Sequence, residues 1–80
     1  MYPSMFEKAA CILESIARNH PFIDGNKRTA FMAALFVIEH NGYKTNFENT
    51  DIEQTMVRIV VKKTPIADIA DWLEQNAQPM

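Results

Sequence analysis

Cysteine and histidine are scarce in this sequence, and their scarcity excludes several kinds of site. Cys11 is the single cysteine among 80 residues, so neither an internal disulfide nor a zinc site built on cysteines can form. The two histidines stand about 20 residues apart, which supplies a zinc site poorly. Because Cys11 falls within a helical apolar pattern, we expect it to be a small core or half-buried residue, and a reducing, cytoplasmic location fits.

Long apolar runs and an excess of positive charge are also missing. The longest apolar run, residues 30–38, is far shorter than the roughly 20 residues that a membrane-spanning helix needs. The formal net charge of −2 gives no electrostatic reason to expect binding to nucleic acid. We therefore expect neither a membrane nor a nucleic acid among the partners.

The sequence does contain enough apolar side chains for one small core. Its hydrophobic share is 48%, and 80 residues make one domain at most, so we expect a single domain over residues 1–80. A domain of this size buries only about 60% of the surface that its unfolded chain exposes, which makes its stability marginal.

Apolar periodicity predicts two long helices in the first half of the chain. The first starts near Pro3 and ends at residues 19–21, because the residue before a proline avoids helical geometry. The second starts at about Asn26 or Lys27 and runs to His40. Its middle is apolar on all sides, which is typical of a buried central helix.

Two shorter helices are predicted in the second half, after a loop with an optional extended stretch. Thr50 and Glu53 have the spacing of a capping box, which places the start of the third helix there. The β-branched residues in 60–64 also allow a short strand. Thr64 and Pro65 suit the N-cap and first position of a fourth helix, and residues 75–80 form a polar tail. The predicted fold class is all-α, a compact bundle of about four helices around a buried central helix.

The stretch "HPFIDGNKRTA", residues 20–30, places ionisable side chains at the start of the apolar second helix. The first backbone N–H groups of a helix lack internal partners and carry the positive end of its dipole, so a helix start favours anions. Gly25 allows close approach to a ligand. Asn26 adds an amide, while Lys27 and Arg28 add two cations that suit phosphate.

Two more side chains complete a possible reaction site. Asp24 can hold Mg²⁺ together with phosphate oxygens, and His20 can accept a proton near neutral pH. Such a set suits phosphoryl-type transfer. Each residue also has an ordinary structural interpretation: a histidine before proline as a loop or cap residue, Asp-Gly as a turn, and the Lys-Arg pair as a solvated face. The residue types alone leave the function open.

The same stretch resembles the signature loop of the Fic superfamily, H-P-F-x-[D/E]-G-N-[G/K]-R. It looks closest to the death-on-curing, or Doc, branch, in which lysine follows the asparagine and Thr-Ala follows the arginine. The resemblance continues through "FEKAACILESIARNHPF" before the loop and "NGYK" after the long helix, and so covers about residues 6–73. The matching loop positions are His20, Pro21, Phe22, Asp24, Gly25, Asn26, Lys27 and Arg28.

This resemblance implies a compact helical fold and transfer of part of ATP to a hydroxyl of a protein target, with Mg²⁺ as cofactor. Doc-type members phosphorylate a translation elongation factor and act as the toxin of a toxin–antitoxin pair. Most Fic proteins transfer AMP instead, and a shortened domain that binds nucleotide or a partner with little activity is a further alternative. The resemblance assigns His20 as base, Asp24 as Mg²⁺ ligand, Phe22 as core anchor, and residues 25–28 as phosphate binders.

Departures from the AMP-transferring pattern favour the kinase-like branch. Lys27 stands where that form has glycine, and Phe31 stands where it has a second arginine. The chain also begins almost at the first helix, so we expect a core from which the N-terminal flap is absent. Because three short helices cover an apolar helix poorly, we expect an exposed apolar surface that a second copy of the chain or an antitoxin-like helix covers.

Overall fold

The computed structural model describes residues 4–19 and 24–80, and the side chains of residues 4–18 and 28–80. The described part contains four helices, and the mostly helical fold class predicted from the sequence is confirmed. They are α1 (Met5–Asn19), α2 (Asp24–His40), α3 (Asn49–Lys62) and α4 (Ile66–Gln75). Two short strands, β1 (Tyr43–Thr45) and β2 (Ala77–Pro79), accompany them.

Helix α1 is the element on which the other helices pack, since it contacts α2, α3 and α4. Its buried face combines Leu13 with the small residues Ala9, Ala10 and Ala17, which let neighbouring helices approach closely. A capping box starts the helix: the Glu7 N–H donates to Ser4 Oγ at 3.1 Å, and the Ser4 N–H donates to Glu7 Oε1 at 3.4 Å.

The expectation that Cys11 is a small core or half-buried residue is wrong. Cys11 is exposed, and the adjacent Ile12 keeps 37% of its surface exposed. The core-facing side of α1 includes Ala10 and Ala17, and Cys11 lies on the opposite, solvent-facing side.

Helix α2 is buried along one side only. Ala30, Ala34 and Ile38 are fully buried, whereas Met32 is 57% and Phe36 is 64% exposed. The prediction of a helix buried on all sides is therefore wrong, because α2 packs mainly against α1 and β1. The accompanying prediction of an exposed apolar surface is confirmed. None of the described helices is both long and apolar enough to cross a bilayer.

The end of α2 is built as predicted, by an Asn-Gly stop. The Asn41 side chain donates to the Val37 carbonyl at 2.7 Å, and the Gly42 N–H donates to the Glu39 carbonyl at 3.1 Å. Gly42 has a φ of 88°, a left-handed conformation that glycine adopts without a steric penalty.

The C-terminal residues are not a free polar tail, as the sequence had indicated. They form β2, which pairs antiparallel with β1 so that Lys44 lies opposite Gln78. The Asn46 N–H donates to the Asn76 carbonyl, and the Met80 N–H donates to the Gly42 carbonyl, each at 2.9 Å. Pairing between segments over thirty residues apart leaves no trace in a local pattern.

The predicted caps of α3 and α4 are also wrong. Helix α3 begins at Asn49 without a side-chain cap bond, so Thr50 lies inside it. It runs to Lys62, which removes the strand alternative for residues 60–64. Helix α4 begins at Ile66, one residue later than predicted, and the Thr64 hydroxyl instead donates to the Arg58 carbonyl at 3.4 Å.

The packing of α1 predicts that substitutions at two adjacent residues have very different effects on stability. Leu13→Ala should lower the free energy of unfolding by about 2–5 kcal/mol, because it empties a fully buried position against several neighbours. The half-exposed neighbour provides a matched control: Ile12→Ala should cost less than about 1 kcal/mol. Urea unfolding followed by circular dichroism measures both, and equal losses would contradict this account of the core.

Candidate functional site

The stretch predicted to bind phosphate forms the N-terminal end of α2. The helix begins at Asp24, two or three residues earlier than predicted, so the backbone of residues 24–27 makes its first turn. Gly25 and Asn26 thus lie within the helix rather than before it. The N–H groups of a first turn have no internal carbonyl partner and carry the positive end of the helix dipole. This backbone therefore suits an anion.

Several predicted site residues lie wholly or partly outside the described residues. His20 and Phe22 fall in the range 20–23, so their roles as base and core anchor stay predictions. The side chains of Asp24, Asn26 and Lys27 also lie outside the described part, and their roles stay predictions as well. Among the described side chains, no group of three or more His, Cys, Asp or Glu residues could hold a metal ion.

Arg28 is the predicted site residue whose side chain the structure describes. It lies on the second turn of α2 and is exposed. The ion pair found among the described residues joins Arg18 to Glu14, at 3.7 Å, and leaves Arg28 without a described carboxylate partner. Arginine presents a planar fork of N–H donors that matches phosphate oxygens. Arg28 is therefore accessible to solvent, and its role as a phosphate binder stays a prediction.

Phe31 lies about one turn after Arg28 and belongs to a group of three aromatic rings, here called the aromatic cluster (Phe31, Phe47 and Trp72). Its ring meets Phe47 edge-on at 5.0 Å between centroids and Trp72 at 5.9 Å. Phe47 and Trp72 are 5.0 Å apart. The cluster joins α2 to the loop before α3 and to α4.

Asp51 holds the tryptophan of this cluster by a hydrogen bond. The Trp72 indole N–H donates to Asp51 Oδ2 at 2.8 Å, between α4 and α3. The other carboxylate oxygen accepts a long bond, 3.5 Å, from the Thr55 hydroxyl. Both Asp51 and Trp72 are half-buried, so the indole N–H has a partner within the protein. The local sequence pattern gives no signal for this bond, because its partners are 21 residues apart.

The burial of Phe31 gives a physical meaning to one departure from the AMP-transferring pattern. Only 6% of Phe31 is exposed, because its ring fills the aromatic cluster. A second arginine at this position would place its charge among apolar rings, where burial of an unpaired ion is costly. In this chain, residue 31 is therefore a core residue.

Comparisons with known proteins agree with the motif and with its position. The model of the Fic/DOC family matches residues 1–38, which contain α1 and the stretch at the start of α2. Over 71 residues the chain is 38% identical to Toxin Doc of Mycolicibacterium smegmatis, a match covering 86% of this chain and 55% of that protein. The chain belongs to the Fic/DOC family. The resemblance noted in the sequence is thus confirmed.

A second relative carries a name that specifies an activity. Over 71 residues the chain is 32% identical to Protein kinase doc of Escherichia phage P1, a match covering 89% of this chain and 56% of that protein. This Fic/DOC chain thus spans about half the length of the curated relatives it matches. No solved structure gives a significant match.

The structure predicts that the AMP-transferring pattern cannot be restored at position 31 by one substitution. Phe31→Arg should lower the free energy of unfolding by about 3–5 kcal/mol, because it removes a buried ring and buries a charge. Met32→Arg is the matched control, since the same charge enters at an exposed neighbouring position and should change stability by less than about 1 kcal/mol. Thermal and urea unfolding measure the difference, and a fully stable Phe31→Arg protein would contradict the burial of this side chain.

Proposed function

We propose that this chain provides the nucleotide-binding core of a Doc-like, toxin-type transferase in the cytoplasm. In this proposal it transfers the terminal phosphoryl group of ATP to a hydroxyl of a target protein, with a translation factor as the target class. The observation that carries the proposal is the start of α2 at Asp24, which gives residues 24–28 the backbone of an anion-favouring helix end. Similarity to a relative named as a protein kinase supports phosphoryl transfer in particular.

The proposed roles follow from the chemistry of the side chains. His20 accepts the proton of the target hydroxyl, and the hydroxyl oxygen forms a bond to the γ-phosphorus of ATP. The bond between that phosphorus and the oxygen of the leaving ADP breaks. The free N–H groups of the first turn, with Gly25 and Asn26, hold phosphate oxygens. Lys27 and Arg28 offset the negative charge that these oxygens carry.

A magnesium ion fits the residues present only if the nucleotide helps to hold it. Asp24 is the single carboxylate in residues 20–30, and Mg²⁺ in proteins takes one or two carboxylates together with substrate phosphates. Asp24 would therefore hold the ion jointly with ATP. When bound, such an ion neutralises phosphate charge and helps to orient the nucleotide.

A binding domain with little activity is the second candidate. The chain spans only 55–56% of the relatives that it matches, so the activity of those whole proteins comes to it only as a proposal. In the second candidate the α2 start binds a nucleotide without efficient transfer of its phosphoryl group. AMP transfer, the other alternative, is disfavoured by the buried Phe31.

Labelled ATP separates these candidates. With Mg²⁺ and cell lysate, we expect label on a target protein from γ-labelled ATP and none from α-labelled ATP. His20→Ala should reduce the labelling by about 100-fold or more, as loss of a general base does. His40→Ala is the matched control, because this exposed histidine lies at the opposite end of α2. Label from the α position would indicate AMP transfer. If the protein binds ATP but no protein is labelled, only the candidate of a binding domain with little activity remains.

We also propose that an antitoxin-like helix covers the exposed surface of α2. Met32 and Phe36 stand four residues apart on this surface, and the His40 ring stacks on Phe36 with centroids 5.0 Å apart. Apolar side chains at this spacing suit contact with an amphipathic helix. The name Toxin Doc of one relative supports such a partner, and self-association of the chain is the competing occupant.

Substitution of Phe36 tests this surface. Phe36→Ser should weaken binding of the antitoxin-like product of the neighbouring gene at least tenfold, as loss of a central aromatic anchor does. Val61→Ser is the control, since Val61 is as exposed but lies on α3. Titration calorimetry measures both. A Phe36→Ser protein that binds normally but changes from dimer to monomer would assign the surface to self-association.

A further inference from the structure

Helix α2 packs on α1, and different elements contact its two halves. Strand β1 follows the C-terminal end of α2 after a two-residue turn, and its Tyr43 ring packs on Phe6 at 5.2 Å. It therefore braces the end of α2 opposite to the anion-favouring turn. Among the described residues, the contact that reaches the N-terminal half from α4 and from the loop before α3 is the aromatic cluster around Phe31.

Among the described residues, one hydrogen bond is made by a ring of the aromatic cluster. An aromatic contact alone permits a ring to tilt or slide, because its energy varies gradually with geometry. The 2.8 Å bond from the Trp72 N–H to Asp51 fixes the indole in one orientation. Because Trp72 touches both Phe31 and Phe47, this bond also restricts where Phe31 can sit.

We propose that Asp51 and Trp72 are positioning residues for the phosphate-binding end of α2. By fixing Phe31, they set the direction of the preceding turn and thus the aim of Arg28 and the free N–H groups at the nucleotide. This inference rests on the proposed function, since it takes the bound group to be a phosphate. Neither residue touches the nucleotide: each acts through the aromatic cluster.

Four variants test this role through affinity for MgATP, measured by calorimetry well below the unfolding midpoint. Trp72→Phe keeps an aromatic ring but removes the N–H donor, and Asp51→Ala removes the acceptor. Each should weaken affinity about tenfold, within the range found for coupling through a packed network. The double variant should be no weaker than either single variant, because both break the same bond. Asp51→Asn keeps an acceptor oxygen and should restore most of the affinity.

Two controls separate positioning from a general loss of stability. Asp71→Ala removes an exposed carboxylate beside Trp72 on α4 and should leave the affinity unchanged. Ile59→Val loosens the core on α3 two turns after Asp51, and should lower stability without changing affinity. If Ile59→Val weakens MgATP binding as much as Trp72→Phe does, or if Trp72→Phe and Asp51→Ala bind like the wild type, the positioning role is wrong.

Fluorescence supplies a readout that does not depend on stability. Trp72 is the only tryptophan in the chain, so its emission reports on the cluster directly. Inorganic phosphate, which does not absorb in this range, should shift the emission of the wild type, and Arg28→Ala should remove the shift. A wild type that binds neither MgATP nor phosphate would overturn the proposed function and this inference together, whereas phosphate binding with no shift in emission would overturn the inference alone.

Discussion

Close contact between α1 and α2 is the constraint on which the rest of the structure depends. Both helices carry alanines that are almost fully buried, Ala10 and Ala17 on α1 and Ala30 and Ala34 on α2, and the two helices contact each other extensively. Small side chains bring two helix backbones close together and fix how each helix is rotated about its axis. That rotation decides that Phe31 points inwards and Arg28 outwards.

The helices could be predicted from sequence because their signals are local. Apolar spacing predicted α1 and α2, local cap patterns placed the starts of α3 and α4 to within about one residue, and the Asn41-Gly42 stop ended α2 where expected. The errors arose where distant contacts decide the outcome. Residues 77–79 became a strand because β1 offers free backbone groups there, and α2 kept one side open because its neighbours lie along the other. Caps failed because Thr50 fits a local motif that the fold does not use.

The same division applies to the candidate site. A helix end that binds an anion is made of consecutive residues, so the stretch from His20 to Arg28 could be recognised without knowledge of the fold. The aromatic cluster that contacts this helix could not be predicted from the sequence. Phe31, Asp51 and Trp72 are separated by about twenty residues at each step, and no local periodicity relates them. These residues come into contact only in the folded chain, so the cluster can be seen in the structure but not in the sequence.

The single thiol of Cys11 faces outwards from α1, the helix that holds the others together. A maleimide dye or spin probe can therefore be attached at one defined place, with no engineered substitution and no intrusion on the core. The same feature has a cost during purification without reductant, because two exposed thiols from separate chains can join by oxidation. A covalent pair of this kind runs as a dimer on a denaturing gel only without dithiothreitol, whereas association through apolar surfaces is detected by gel filtration of the native protein with dithiothreitol present.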